Sequence, residues 1–449
     1  MFENIIEQGA ARQLKDDILS RRLAPSMLFF GPSESGKGSA AVELARVLSC
    51  ESDASWKCAC PACERHRYLQ HSDLLMLGFR SFTSEIAACH SAFSRNPLVP
   101  STKILFLRSI RKLQMRFSPV LMEDDPKLGK LSSVLQSLEE GLNEFWVTGA
   151  EFQDTAAFEK LCGSIVKNAN ILADEGIGRT IPVGHIRKAA YWCRLAPNGK
   201  RKTLIIENAD NMREEARNSL LKLLEEPPQT VSIILTSKRR EAIMPTILSR
   251  MRPYRFLKRS PEGEVEIIRR VFQASVNQEN GNGKTPAAGS LISAYLGSFL
   301  SGGTEKLYPL AAWFISSLAR AAAAYVKKTG AAVPLMITAL GERYAPIAGE
   351  AGFERTTKSS VIAKKVIEET GSSDDDSFSR FLSICLDMVS VVTREADDPR
   401  AVAYNDMFKK YIGEAETAVN TLNISAPLAL EALFYKLRKS MAGSGFVYG

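Results

Sequence analysis

Short, nearly unbroken apolar runs alternate in this chain with stretches where apolar residues return every three or four positions. Ser26–Phe30 is one such run and ends at a glycine-rich turn. It predicts a strand buried on both faces. Over 39–48, Ala41, Leu44, Ala45 and Leu48 fall on one face of a predicted helix. Positions 203–206 and 231–236 predict two further strands. The helix between them, over 212–226, carries Ala216, Leu220, Leu223 and Leu224 at helical spacing, and Pro227-Pro228 stops it. Buried strands alternating with helices predict an α/β fold with a parallel sheet covered on both sides.

Elsewhere the pattern is mostly helical. Between about 79 and 180 the alternation is interrupted by a helix-rich insertion, in which Leu131, Val134, Leu135, Leu138, Leu142 and Phe145 mark one helix face. Within it, 104–107 fits a strand as well as a helix. After 256 the chain reads as helices broken by polar stretches at 277–283 and 371–376. The last strong helix is expected over about 427–439, with Leu430, Leu433, Phe434 and Leu437 on one face. No apolar run is read as long enough to span a bilayer.

With 449 residues, 45% hydrophobic and 24% charged, the chain is ordinary in composition and long enough for two to four domains. Met1-Phe2-Glu3-Asn4 has neither the basic flank nor the apolar core of a signal segment, so a cytoplasmic location is expected. The formal charge of +8 permits contact with nucleic acid without demanding it.

Three segments carry chemistry. Gly31-Pro32-Ser33-Glu34-Ser35-Gly36-Lys37-Gly38 follows the phosphate-loop pattern G-x-x-x-x-G-K but has Gly38 where a serine or threonine hydroxyl normally holds magnesium. Its glycines allow backbone N–H groups to curl round a phosphate at a helix N-terminus, and Lys37 adds a point charge. Ser39 does not replace the hydroxyl, because one residue turns a helix by about 100°. The strand over 203–206 runs into Glu207-Asn208-Ala209-Asp210. Glu207 stands where a carboxylate supports the metal, and Asn208 where a glutamate activates water; an amide has no useful basicity for that task. Finally, Cys50, Cys58, Cys60 and Cys63 lie within fourteen positions. In a cytoplasmic protein such a cluster reads as a structural zinc site. Cys60-Pro61-Ala62-Cys63 has knuckle spacing, and His66 or His71 is an alternative to Cys58 as fourth ligand.

Together these segments resemble the clamp-loader branch of the AAA+ proteins, and within it the delta-prime subunits of bacterial DNA polymerase III. The resemblance is carried by Phe2-Glu3-Asn4-Ile5-Ile6, Arg22-Leu23, Leu28-Phe29-Phe30-Gly31-Pro32, Asn208-Ala209-Asp210-Asn211-Met212 and the helix from Ala216 to Pro227-Pro228. Pro245-Thr246-Ile247-Leu248-Ser249-Arg250 is similar to the family's Ser-Arg-Cys motif, with Met251 in place of the cysteine. Asn423 and the run from Leu428 to Leu433 are similar to its last collar helix. The insertion at 79–180 stands outside the usual pattern.

The resemblance implies a RecA-like AAA+ domain over 1–257 holding a zinc module at about 50–71, a helical lid over 258–312 and an all-α collar over 313–449. It implies that Arg250 is an arginine finger supplied in trans, and that Thr236 is at the sensor-1 position. The lid segment Ser301-Gly302-Gly303-Thr304-Glu305-Lys306 lacks the sensor-2 arginine of active loaders. The expected function is a non-hydrolysing, stator-type subunit of a clamp loader, with ATP or ADP binding doubtful. Its partners would be gamma/tau- and delta-type subunits, the sliding clamp and primer–template DNA, and no membrane. Two alternatives stay open: an active gamma/tau-type loader ATPase, and an AAA+-derived DNA-binding protein outside replication.

Overall fold

A computed structural model describes residues 1–123, 125–148, 155–178, 180–274, 290–299, 304–328, 330–370, 375–396, 398, 400–420 and 424–442. Those up to 296 form one compact unit and those from 297 on form a second.

The first unit is built on five strands: β1 (Ser26–Phe30), β2 (Leu74–Leu77), β3 (Lys202–Ile206), β4 (Val231–Ser237) and β5 (Arg252–Arg255). They pair in parallel in the order β2-β3-β4-β1-β5. Alternate residues of the inner strands face opposite cores, as the strand period of two requires. Met27, Phe29, Ile205 and Ile234 point to one face, where α1 (Gly9–Leu19) and α2 (Lys37–Ser49) cover them. Leu28, Leu204, Ile206, Ile233 and Leu235 point to the other, under α9 (Val183–Arg194), α10 (Glu214–Glu225) and α11 (Pro245–Leu248). Two strands escaped the hydrophobic pattern. β2 is only four residues long. β5 is an edge strand, Arg-Pro-Tyr-Arg, that buries only Tyr254; edge strands tolerate proline and charge because they lack a partner on one side.

The 79–180 segment supplies α4 (Thr83–Arg95), α5 (Pro100–Gln114), α6 (Pro119–Met122), α7 (Pro126–Thr148) and α8 (Thr155–Ile171). Positions 104–107 are therefore helical. Phe93, Phe106, Phe145 and Phe158 bring four rings together between these helices. The short helix α3 (Pro61–Arg67) lies between α2 and β2 in the chain, and α12 (Pro261–Val271) and α13 (Leu291–Gly297) follow β5.

The second unit is helical: α14 (Thr304–Lys328), α15 (Leu335–Glu350), α16 (Ser359–Thr370), α17 (Asp375–Glu395), α18 (Ala401–Asn420) and α19 (Ala426–Ala442). They share one core in which Phe314 meets Phe381 and Phe434 edge to face. The border expected at 312/313 falls inside the continuous helix α14. Leu307–Lys328 of α14, 22 residues with a mean hydropathy of 1.2, has the length and composition to cross a membrane, which the apolar runs did not reveal. Of its apolar window 72% is buried inside the protein, so it serves as the core helix of this unit. The polar stretch at 277–283, Ser301-Gly302-Gly303, positions 371–374 and Asn423 lie outside the described residues, whereas Asp375 already belongs to α17.

Candidate functional site

The glycine loop joins β1 to α2, as the strand–loop–helix pattern requires. Gly36 caps α2 at φ +91°, a conformation open to glycine and strained for other residues. Lys37 is buried and turns back on its own loop, donating to Gly31 O (2.7 Å), Pro32 O (2.5 Å) and Ser35 Oγ (3.2 Å). Burial brings its pKa down to about 8, and neighbouring Lys238 pushes the same way. Arg259, just beyond β5, also reaches the loop: it donates to Glu34 O, and its Nη2 lies 2.5 Å from where a Cβ on Gly36 would stand. Ser39 is exposed on α2, one helical step from Gly38.

β3 delivers Glu207 and Asn208 beside this loop. Glu207 Oε1 lies 2.7 Å from the position a Cβ on residue 38 would occupy, so the carboxylate fills the place of the missing side chain. The same carboxylate pairs with Arg116 and, at 3.4 Å, with Arg80. Burial alone would raise its pKa; the two guanidinium groups outweigh that and lower it. Asn208 adopts a left-handed conformation (φ 48°, ψ 55°), which asparagine tolerates better than glutamate. Its side-chain amide donates to Phe79 O (2.8 Å), and its backbone N–H donates to Thr236 Oγ1 (3.1 Å). The Thr236 hydroxyl is thus buried and engaged with the neighbouring strand end.

Arg250 sits elsewhere. It follows α11, whose apolar side packs on the face of the sheet opposite α2. Its side chain is 35% exposed and pairs at 3.0 Å with Glu225, itself 50% exposed, at the end of α10. It also donates to Thr246 O (2.8 Å). The structure therefore gathers Gly31, Gly36, Lys37, Gly38, Glu207 and Asn208 into one corner and leaves Arg250 on another.

A pocket of about 550 Å³ opens at the carboxyl ends of β1, β4 and β5. Its lining includes Lys238, Arg239, Arg240, Arg255 and Lys258 against the single acid Glu241. Among the described residues none of these five cations has an ion-pair partner.

The four cysteines converge. Cys50 Sγ lies 3.6 Å from Cys58 Sγ and 3.8 Å from Cys60 Sγ, and all four sulfurs lie within 4.8 Å of one another. A zinc ion held at 2.3 Å by four thiolates sets sulfur–sulfur edges of about 3.8 Å, so the donor set suits that metal. Backbone N–H groups of Ser52 and Ala54 donate to Cys50 Sγ, and Arg46 donates to Cys63 Sγ at 3.0 Å while paired with buried Glu43. Such partners fix thiolate orientation and offset its charge. His66 and His71 are not in the cluster: their rings stack on each other at 4.2 Å, and burial pulls the His66 pKa down to about 3.

The pattern of motifs missed Arg116, Arg80 and Arg259. Nothing local marks them, since each acts across a long sequence separation on a group from another element.

No curated protein matches the chain. A solved structure that does is a crystal structure of a DNA polymerase III gamma subunit-related protein from Thermotoga maritima: it is 16% identical, with 64% of this chain and 92% of that chain covered and a TM-score of 0.29. The sequence model of the family described as "DNA polymerase III, delta subunit" matches residues 6–123 and 154–260, half of the chain. It runs through most of the segment that the residue pattern set apart at 79–180, leaving only 124–153 of it unmatched, so α4 and α5 fall within the family match. The chain belongs to the DNA polymerase III delta subunit family.

Proposed function

We propose that this chain is a stator-type subunit of a clamp loader, a RecA-like AAA+ body that does not hydrolyse nucleotide itself and offers Arg250 to the ATP of a neighbouring subunit. The observation that carries the reading is the state of the position that should activate water: the Asn208 amide is tied to Phe79 O, and the neighbouring Glu207 carboxylate is held by Arg116 and Arg80. Arg250, in contrast, is solvent-accessible and held by an exposed carboxylate. Exchanging an exposed ion pair for a bidentate contact with phosphate costs little, because such pairs contribute about 0–1 kcal/mol. Family membership implies partners among clamp-loader subunits, of gamma/tau and delta type, and the sliding clamp; the primer–template DNA is reached through the complex. We assign the four cysteines a structural zinc ion that ties the end of α2 to α3, and Thr236 a structural part of the sensor-1 position.

Reconstitution tests this. The chain should co-purify with gamma/tau- and delta-type subunits, contribute no ATPase alone and carry one equivalent of zinc that Cys60→Ser abolishes. Robust turnover by the isolated chain would return it to the active gamma/tau type.

A second reading, an AAA+-derived DNA-binding protein outside replication, is favoured by the pocket whose five cations have no ion-pair partner among the described residues. It requires the isolated chain to bind DNA with a steep salt dependence and to ignore loader subunits.

A further inference from the structure

Glu207 is one methylene longer than an aspartate, and that methylene brings its carboxylate into the space above Gly38. A Cβ at 38 would crowd this carboxylate, which Arg116 and Arg80 hold in place, so Gly38 and Glu207 are complementary in space. A buried carboxylate is stable only with a counter-charge. In a nucleotide-loaded P-loop, a divalent cation supplies that charge. In this chain it comes from α5 and the turn after it. Arg116 is nearly fully buried and pairs with Glu207. It also donates from Nε to Gly78 O (3.3 Å) and from Nη1 to Lys112 O (2.9 Å), and its guanidinium lies 5.1 Å from the Phe82 ring centre. Arg80 sits 5.4 Å from the same ring centre, and it and Lys112 both pair with Glu85. With its side chain 4% exposed and each guanidinium nitrogen donating to a named acceptor, Arg116 is a fixed part of the site.

The C-terminal half of α5 is also tied to a second element. Arg108 donates to Arg67 O (2.6 Å) and Arg111 to Tyr68 O (2.8 Å), the terminal carbonyls of α3 in the cysteine module. Cations at a helix C-terminus meet both the orphan carbonyls and the negative end of the dipole. Arg108, Arg111 and Lys112 of α5 and Arg116 in the turn after it thus form one run of cations from the cysteine module to Glu207.

We infer that α5 and its following turn supply the P-loop with a built-in counter-cation, Arg116 assisted by Arg80, which takes over for Glu207 the charge-balancing role of a divalent metal and holds the loop in shape without nucleotide. Arg116 is a positioning residue. The inference rests on the non-hydrolysing reading of the P-loop but not on Arg250, so either can fail alone.

The experiment uses the full chain, with magnesium chloride and ADP as probes and unfolding equilibria as readout. The wild type should show no stabilisation by millimolar magnesium, with or without ADP. Arg116→Met should raise the unfolding constant about 100-fold or more, the scale of a broken buried ion pair, and magnesium with ADP should restore part of the loss. Glu207→Gln in the Arg116→Met background should also restore stability, because no buried charge is then left alone, and should abolish the magnesium response. That double variant serves if Arg116→Met alone does not fold; the single variant Glu207→Gln should then be less stable than the double. A wild type stabilised by magnesium–ADP, a folded Arg116→Met indifferent to it, or a double variant no better than either single would overturn the inference.

Discussion

The P-loop corner and the corner after α11 face opposite fates. In the first, the three side chains of the phosphate-loop and strand-end motifs have internal partners: Lys37 its own loop, Glu207 two arginines, Asn208 the Phe79 carbonyl. In the second, Arg250 is held by surface contacts to Glu225 and Thr246 that exchange readily with a ligand. The difference is one of burial. A charge in low dielectric must be paired within the chain, and its pairing is then costly to change; a charge at the surface stays exchangeable. The proposed stator role would need both conditions at once.

The contrast can be broken at either corner. The largest effect is expected from Arg250→Ala, which should leave the isolated chain folded and cut ATP hydrolysis by the reconstituted loader about 10³-fold, as loss of an arginine finger does; steady-state ATPase of the complex measures it, and an unchanged rate removes Arg250 from the chemistry. Gly38→Thr comes next. It restores the phosphate-loop consensus on paper but overpacks Glu207, so it should destabilise the chain by about 1–3 kcal/mol and bring no ATPase; appearance of hydrolysis would show that Gly38 alone disables the site.

Acid should loosen the P-loop corner first. The pKa of Glu207 is lowered in the folded chain, and that of Glu85 is lowered to about 2, against an ordinary value of 4.5. In both, burial works against the shift and the surrounding cations outweigh it. Groups with depressed folded pKa values stabilise the fold above their unfolded value, and the contribution fades as pH falls from about 4.5 toward 2. Hydrogen exchange at β3 and α5 should therefore accelerate in that window ahead of α10 and α11. Uniform acceleration would erase the distinction. The smallest effect is expected from Glu225→Gln: a stability change below about 1 kcal/mol, with loader ATPase kept, because Arg250 needs no partner of its own.

Much of the fold was legible. The runs at Ser26–Phe30, 203–206 and 231–236 were long and apolar enough to be buried strands wherever they paired. β5 was not, because an edge strand with two arginines and a proline carries no apolar run. Positions 104–107 were ambiguous locally and became helical because Phe106 and Leu107 join a continuous helix that packs on both its faces. Of the candidate sites, the cysteines were legible as a set. The choice between Cys58 and a histidine was not, because a single intervening residue says nothing about how the loop bends; in three dimensions His66 and His71 turn to each other instead.

The sequence alone determined the strand–loop–helix order, a glycine at 38, an amide at 208 and an arginine at 250. These are facts of residue type, and chemistry attaches to them directly. Only the tertiary structure decided that Glu207 fills the gap at Gly38 and that Arg116, 91 residues earlier, neutralises it. Pairing of buried charges depends on which elements the fold brings side by side, and no periodicity in the chain encodes that.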